Sequence, residues 1–247
     1  MPANAEFMCR MARSKDDVTA CQALRHVCFH GSTGLDDDKF DVFCDHVMVE
    51  KGGVLVCTLR MRVLLDGADF SQTYTGSFYD IAMLRGSSLE IGRFCVDSVA
   101  FSLHILRMAW AAITHYVDTY NITHIFGCVS FAGTDPSVYA DAFGALHKNY
   151  LGKTQNISKS IDKNWLSDVI NAGYDPILAL QQMPPLLRTY LGMGGYVSNR
   201  FVVDHKLGTL HIFTGLDIAA IPAARVQSLR SLVVQTKGLH MGPLRSN

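Results

Sequence analysis

Neither sign of charge is in excess in this chain: 22 Lys and Arg face 22 Asp and Glu over 247 residues. A protein that grips nucleic acid by its phosphates carries a basic surplus, so binding of that kind is not expected. Cysteine pairing is missing too. Cys9, Cys21, Cys28, Cys44, Cys57, Cys95 and Cys128 are odd in number, scattered, and form no C-x-x-C motif. That spacing excludes a zinc ribbon or a thioredoxin-type site and predicts a reduced, cytoplasmic compartment. The ten histidines form no ligand-spaced cluster, and no metal is expected. Residues 1–13 lack the apolar stretch of a signal peptide. The longest apolar run, residues 105–117, contains Arg107 and His115 and is too short to span a bilayer. Repeats and low-complexity segments are absent.

What is present is core-forming material. Hydrophobic residues make up 49% of the chain, enough for a full core. A single domain over 1–247 is expected, with a polar insertion near 152–183 and a basic C-terminal tail over 218–247. Apolar spacing predicts helices over 17–30, 103–120 and from 136 or 137 to 150, with Asp16 or Asp17 capping the first. Strands are predicted over 47–50 and 54–64 around a Lys51-Gly52-Gly53 turn, over 124–131, and at the end over 196–203 and 209–216. Residues 66–75 read as loop, and 184–192 as a short helix. The segment 223–236 reads as a basic amphipathic helix, either lying on anionic lipid or docked on its own domain. This order fits a mixed α/β three-layer domain.

The stretch Ser88-Leu89-Glu90-Ile91-Gly92-Arg93-Phe94-Cys95-Val96 reads as a buried strand, yet it carries a carboxylate and a guanidinium. Burying an unpaired charge is costly, so such groups are paired or used. Glu90 is the candidate general base, because a carboxylate on a mid-sheet strand is a better proton acceptor than an exposed one. The bland alternative is a structural ion pair. On a regular strand Arg93 lies on the face opposite Glu90, whereas a bulge near Gly92 would put both on one side, and the spacing leaves this open.

Arg25 and Phe29, one helical turn apart, either flank a pocket or sit on a solvated helix face. Asp41 and Asp45, four apart, share a face if helical, and two carboxylates repel unless a cation joins them. Arg25, Arg60, Arg93 or the ammonium of an amino-acid substrate could be that cation. Residues 36–45 lack the glycine and distal glutamate of a calcium loop. The turn after Val96 has no glycine, which disfavours close pyrophosphate contact and suits a donor held by a pantetheine arm. Gly127-Cys128-Val129-Ser130-Phe131 lacks the second glycine of a nucleophile elbow, which rejects a serine hydrolase.

Together, Ala23-Leu24-Arg25-His26-Val27-Cys28-Phe29, Phe40-Asp41-Val42-Phe43-Cys44-Asp45-His46 and Leu89-Glu90-Ile91-Gly92-Arg93 resemble the acyl-homoserine-lactone-synthase branch of the GNAT superfamily. The blocks over 126–136 and 184–191 look like those of the bacterial ornithine-lipid Nα-acyltransferases. The resemblance covers roughly residues 18–218 of this sequence. It implies a GNAT-like α/β fold, a three-layer mixed sheet flanked by helices. It also implies a reaction in which a 3-hydroxyacyl group passes from acyl carrier protein to the α-amine of an amino acid. Ornithine is the default acceptor and glutamine the alternative. The product is a lyso-aminolipid that a second-step O-acyltransferase completes.

By position, Arg25, Phe29, Asp41, Asp45, Arg60, Glu90 and Arg93 match the branch's recurrent residues. Glu90 is assigned as base, with Arg93 beside it in the catalytic pair, and the others as substrate-binding groups. The backbone over 93–96 is assigned to polarise the thioester carbonyl. Phe94, Cys95, Val96, Ser130 and Phe131 are assigned to the donor path. No tightly bound cofactor is implied, the phosphopantetheine thioester being a substrate. Contact with the inner face of the cytoplasmic membrane is compatible with such a product. The alternatives are an acyl-homoserine-lactone synthase using S-adenosylmethionine, against which the 126–136 and 184–191 blocks stand, and a non-catalytic membrane-associated GNAT-fold protein.

Overall fold

In chain order the elements are β1 (Phe7–Met11), α1 (Lys15–His30), β2 (Asp45–Lys51), β3 (Val54–Leu64), β4 (Ser88–Val96), α2 (Leu103–Thr119), β5 (His124–Ala132), α3 (Ala140–Asn149), α4 (Pro176–Gln182), α5 (Pro185–Leu191), β6 (Tyr196–Asp204), β7 (Thr209–Asp217), α6 (Ala223–Gln235) and β8 (Leu239–His240). This computed structural model describes residues 6–81, 84–152, 164–170, 173–236 and 239–241. Residues 153–163 of the expected insertion, and Lys237 and Arg245 of the basic tail, lie outside them. Chain contacts divide the molecule into two compact units, and β4 contributes to both.

The first unit comprises Met1–Val63, Ile91–Ile122 and Ala223–Asn247. β2 pairs antiparallel with β1 and with β3, and β8 adds to β1 in parallel. The hairpin between β2 and β3 turns where expected. Gly52 and Gly53 both take positive φ, 59° and 78°, the backbone that a two-residue hairpin turn demands and that glycine adopts without strain. α2 is apolar on nearly every side, and Ile105, Met108, Ala109, Ala112 and Ile113 are buried within it. Cys9, Val47, Val49, Cys57 and Leu59 supply the sheet side of the core.

α1 starts two residues before its predicted start. Its cap is Ser14 rather than Asp16 or Asp17: extended Ser14 accepts from Asp17 N–H through its hydroxyl, while both acids occupy the first turn, where the helix dipole favours negative charge. β1 was not anticipated, because five residues of mixed polarity are too short a pattern to show alternation. α6 takes the docked alternative. Val226, Leu229 and Leu232 are half-buried, the helix packs on α2, and Arg230 grips both oxygens of Asp118.

The second unit comprises Leu64–Glu90 and Thr123–Pro222. β7 pairs antiparallel with β5 and β6, and the start of β4 pairs in parallel with β5 over three positions, Ser88↔His124 to Glu90↔Phe126. Parallel and antiparallel ladders mixed within an α/β layer arrangement are the expected fold class. The two faces of β5 are covered differently. Val129 and Phe131 pack under α3, α4 and α5 with Phe143, Leu146, Ala179 and Leu187. Phe126 packs on the other face with Leu64, Phe70, Tyr79 and Ile81. Part of the segment read as a polar insertion joins the first of these clusters: Leu166, Ala179 and Met183 are buried in it. α4 had a local signal in Asp175-Pro176, since Asp175 caps Ile177 and Leu178 N–H and Pro176 opens the helix.

Candidate active site

Both units hold buried acidic groups. In the first, three guanidiniums and three carboxylates interlock: Arg25, Arg60 and Arg93 with Asp36, Asp38 and Asp41. α1 carries Arg25 on its inward face at 1% exposure, which overturns the solvated-face alternative. Arg25 Nη1 and Nη2 reach the two oxygens of Asp41 at 3.1 and 2.7 Å, and its Nε reaches Asp36 Oδ2 at 3.0 Å. The fork geometry of guanidinium suits this bidentate grip, which a lysine would not reproduce.

Arg60 comes from β3, where it pairs with His46 across the antiparallel ladder. Its Nη1 bridges Asp38 Oδ1 at 2.7 Å and Asp41 Oδ1 at 2.8 Å. Arg93 closes the set with Nε at 3.0 Å from Asp36 and Nη2 at 3.1 Å from Asp38. Gln22 donates to Asp41 Oδ2 at 2.9 Å.

Arg93 has φ of 52°, a left-handed backbone rare for a side chain other than glycine. Simple alternation along β4 therefore fails at Arg93, and its ion pairs with Asp36 and Asp38 offset the backbone cost. The electrostatics follow from burial and pairing. Burial opposes ionisation of Asp41, but Arg25 outweighs it and holds that carboxyl below its usual range. At Asp38, burial is likewise outweighed by Arg60, again lowering the carboxyl. Burial pushes the His46 imidazole down, so the ring is neutral, with Nε2 3.3 Å from Asp41 O and Nδ1 3.5 Å from Arg25.

Two members of this network, Asp36 and Asp38, are not among the residues assigned to a site from the sequence. Their signal was alternation: in an extended segment Asp36 and Asp38 turn inward, while Asp37 is exposed. Asp45, assigned to the same group as Asp41, goes elsewhere. Asp41 opens a 3-10 turn and Asp45 opens β2, so the shared helical face does not exist, and Asp45 accepts from Tyr116 hydroxyl at 3.0 Å. Phe29 is 36% exposed at the end of α1 and does not join Arg25.

Along the assigned donor stretch, Phe94 and Val96 are half-buried, and Cys95 is buried. Val96 carbonyl accepts from the Cys28 thiol at 3.6 Å. On β5, Ser130 is exposed, but Phe131 points the opposite way and is buried edge-on against Phe143 and Tyr139. Phe131 is thus a core residue and not a wall of an open path, as strand alternation requires once Ser130 faces out.

In the second unit, Glu90 is 4% exposed. Its Oε1 accepts from the backbone N–H of Thr75 at 2.7 Å. Among the described residues Thr75 is its hydrogen-bond partner, and no guanidinium or ammonium pairs with it there. The strand reading found Glu90; Thr75 was missed, because nothing local links it to a strand fifteen residues on.

The family model for the GNAT acetyltransferase domain matches residues 23–111, a span that includes Arg25, the three aspartates, Arg60, Glu90 and Arg93. The L-ornithine Nα-acyltransferase of Rhodobacter capsulatus is 28% identical over 233 residues, which cover 86% of this chain and 90% of that protein. Two solved structures share the fold. FeeM, an N-acyl amino acid synthase from uncultured soil microbes, superposes with a TM-score of 0.53 at 10% identity over 95% of this chain and 100% of that one. BjaI, a CoA-dependent acyl-homoserine lactone synthase, does so at 0.55 and 11% identity over 97% of this chain and 96% of that one. The chain therefore carries a GNAT acetyltransferase domain and is a homologue of a bacterial L-ornithine Nα-acyltransferase, which bears out the resemblance read in its Arg25, Asp41 and Glu90 blocks.

Proposed function

We propose that this acyltransferase moves a 3-hydroxyacyl group from the phosphopantetheine thioester of acyl carrier protein to the α-amine of ornithine, giving a lyso-aminolipid. The observation that carries the chemistry is Glu90, a buried carboxylate with one oxygen held by a backbone N–H. An amine must lose a proton to become an acyl amide, and a fixed, unneutralised carboxylate accepts it.

In the proposed reaction the uncharged amine nitrogen attacks the thioester carbonyl carbon. A proton passes from that nitrogen to Glu90 Oε2, directly or through water. The C–S bond then breaks, the pantetheine sulfur leaves as a thiol on taking up the proton that Glu90 accepted, directly or through water, and the amide remains. Acyl carrier protein is a substrate and transient partner in this scheme, and the chain's own residues suffice for the proton traffic.

The acceptor is assigned from the relative, which is named for L-ornithine. The Arg–Asp network is balanced in charge, so it does not by itself select a δ-ammonium. Its role in the proposal is to hold α1, the 36–41 segment, β3 and β4 in one arrangement.

Expression in a host without aminolipids, together with a second-step O-acyltransferase, tests the proposal. Mass spectrometry of the lipids should show a new ornithine head group. A glutamine head group would keep the mechanism and replace the acceptor, whereas no aminolipid would remove the function. Acyl-homoserine lactone formed from S-adenosylmethionine would install the alternative.

A further inference from the structure

Residues 66–75 read as loop, yet the segment from Phe70 to Ser77 is held as tightly as core. Thr73 is fully buried, and Thr75 and Gly76 are buried beside it. Thr73 hydroxyl donates to Phe70 carbonyl at 2.8 Å and accepts from Gly76 N–H at 2.8 Å. Phe78 and Tyr79 N–H then close on Thr75 carbonyl at 3.0 and 2.9 Å. A methyl group on Gly76 would collide with the Phe70 carbonyl oxygen, so this turn admits glycine alone there. The turn is also fastened to the strand partner of Glu90. Phe126 lies directly across the β4–β5 ladder from Glu90, and the Phe70 ring packs on it at 5.7 Å between centroids. Two residues along β5, Cys128 thiol reaches Thr75 hydroxyl at 3.8 Å.

We propose that this turn is a positioning device for Glu90: Thr73 and Gly76 build the turn that aims the Thr75 backbone N–H at Oε1, and this fixes Oε2 toward the amine. It rests on Glu90 being the base. A free glutamate side chain has three rotatable bonds, while a reacting group must be held within about 0.5 Å of its productive place. An arginine would fix the carboxylate more strongly but would neutralise it, as happens to Asp41. A backbone N–H has no rotamers and no net charge, so it orients the carboxylate and leaves it free to take a proton. Misplacing a reacting group by about 1 Å costs on the order of 10²-fold in rate.

The test uses the full chain with acyl-acyl carrier protein and ornithine. Thr73→Val keeps the side-chain shape and removes the hydroxyl. It should lower kcat by about tenfold or more with KM for the amine within about threefold, and Thr73→Ser should restore kcat to within about threefold of the parent. Beside Glu90→Gln, Thr73→Val should cost less than about twofold, because a residue acting through Glu90 has nothing left to position. Losses that multiply in the double variant, or a Thr73→Val protein at parental kcat, overturn the proposal. Should Thr73→Val fail to fold, replacing Thr75 by its α-hydroxy acid removes the N–H and keeps the side chain. The same tenfold loss, absent beside Glu90→Gln, is expected there, and parental kcat overturns the proposal. A failure of the base assignment shows separately, as a Glu90→Gln protein at parental rate.

Discussion

Two buried acidic sites among the described residues are handled in opposite ways. Asp36, Asp38 and Asp41 each meet two guanidiniums, and Arg25, Arg60 and Arg93 are correspondingly shared. Glu90 is buried about as deeply, yet receives one backbone N–H. Arg60 and Arg25 outweigh burial and hold the Asp38 and Asp41 carboxyls below their usual range. Glu90 is oriented by a neutral donor instead. Burial alone therefore does not set a carboxylate's role; the charge and number of its partners do. In the proposed function the network ties four segments together, and Glu90 is the group kept available for chemistry.

Removing Arg25 should give the largest effect. Arg25→Ala leaves Asp36 and Asp41 buried with a lost partner, and breaking a buried pair in this way costs about 3–5 kcal/mol. Urea unfolding would register it as a marked fall in midpoint. A change below about 1 kcal/mol would show the network to be loosely held and would erase the contrast with Glu90. Glu90→Gln comes next and should act on the other axis. The amide still accepts from Thr75 N–H, so stability should stay within about 1 kcal/mol of the parent, while kcat falls on the order of 10²-fold or more. If Glu90→Gln unfolded the protein at parental specific activity, the two sites would have to exchange roles.

Acid gives the smallest effect, and its sign is set by the lowered groups. Asp38 and Asp41 titrate below the ordinary value of 3.8 in the folded chain, because Arg60 and Arg25 outweigh the burial penalty. Their contribution is complete above 3.8 and is lost as pH falls through their lowered values. His46, lowered by burial from 6.5, adds an earlier loss, since the unfolded imidazole takes up its proton first as pH drops through that value. Stability measured by denaturant should hold above neutral pH, decline modestly below 6.5 and fall more steeply below 3.8. A profile flat down to strong acid would mean that the aspartates are not paired in solution.

Much of the site was legible in order but not in partnership. Glu90 and Arg93 stood out because charge in apolar surroundings is conspicuous, while Arg25, Asp41 and Arg60 were assigned through the resemblance. Asp45 was misassigned, because spacing by four presumes a helix where the chain instead passes from a 3-10 turn into β2. Asp36 and Asp38 were hidden in a run of acids that looks solvated until its extended backbone sorts inward from outward. Phe131 was placed on the donor path together with Ser130 by the resemblance, whereas consecutive strand residues face opposite ways.

The sequence by itself determined the local order of this protein. It contained the strand and helix succession apart from β1, α4 and β8, the glycine hairpin after β2, the charged strand and the GNAT resemblance. All of these are written in periods of two or 3.6 residues and in turn chemistry, which act over a few positions. Tertiary structure decided which aspartate meets which arginine, that Arg93 adopts a left-handed backbone, and that Thr75 N–H holds Glu90. Those contacts join residues from 11 to 55 positions apart. Each is fixed by where packed elements bring side chains together, which short-range pattern does not encode.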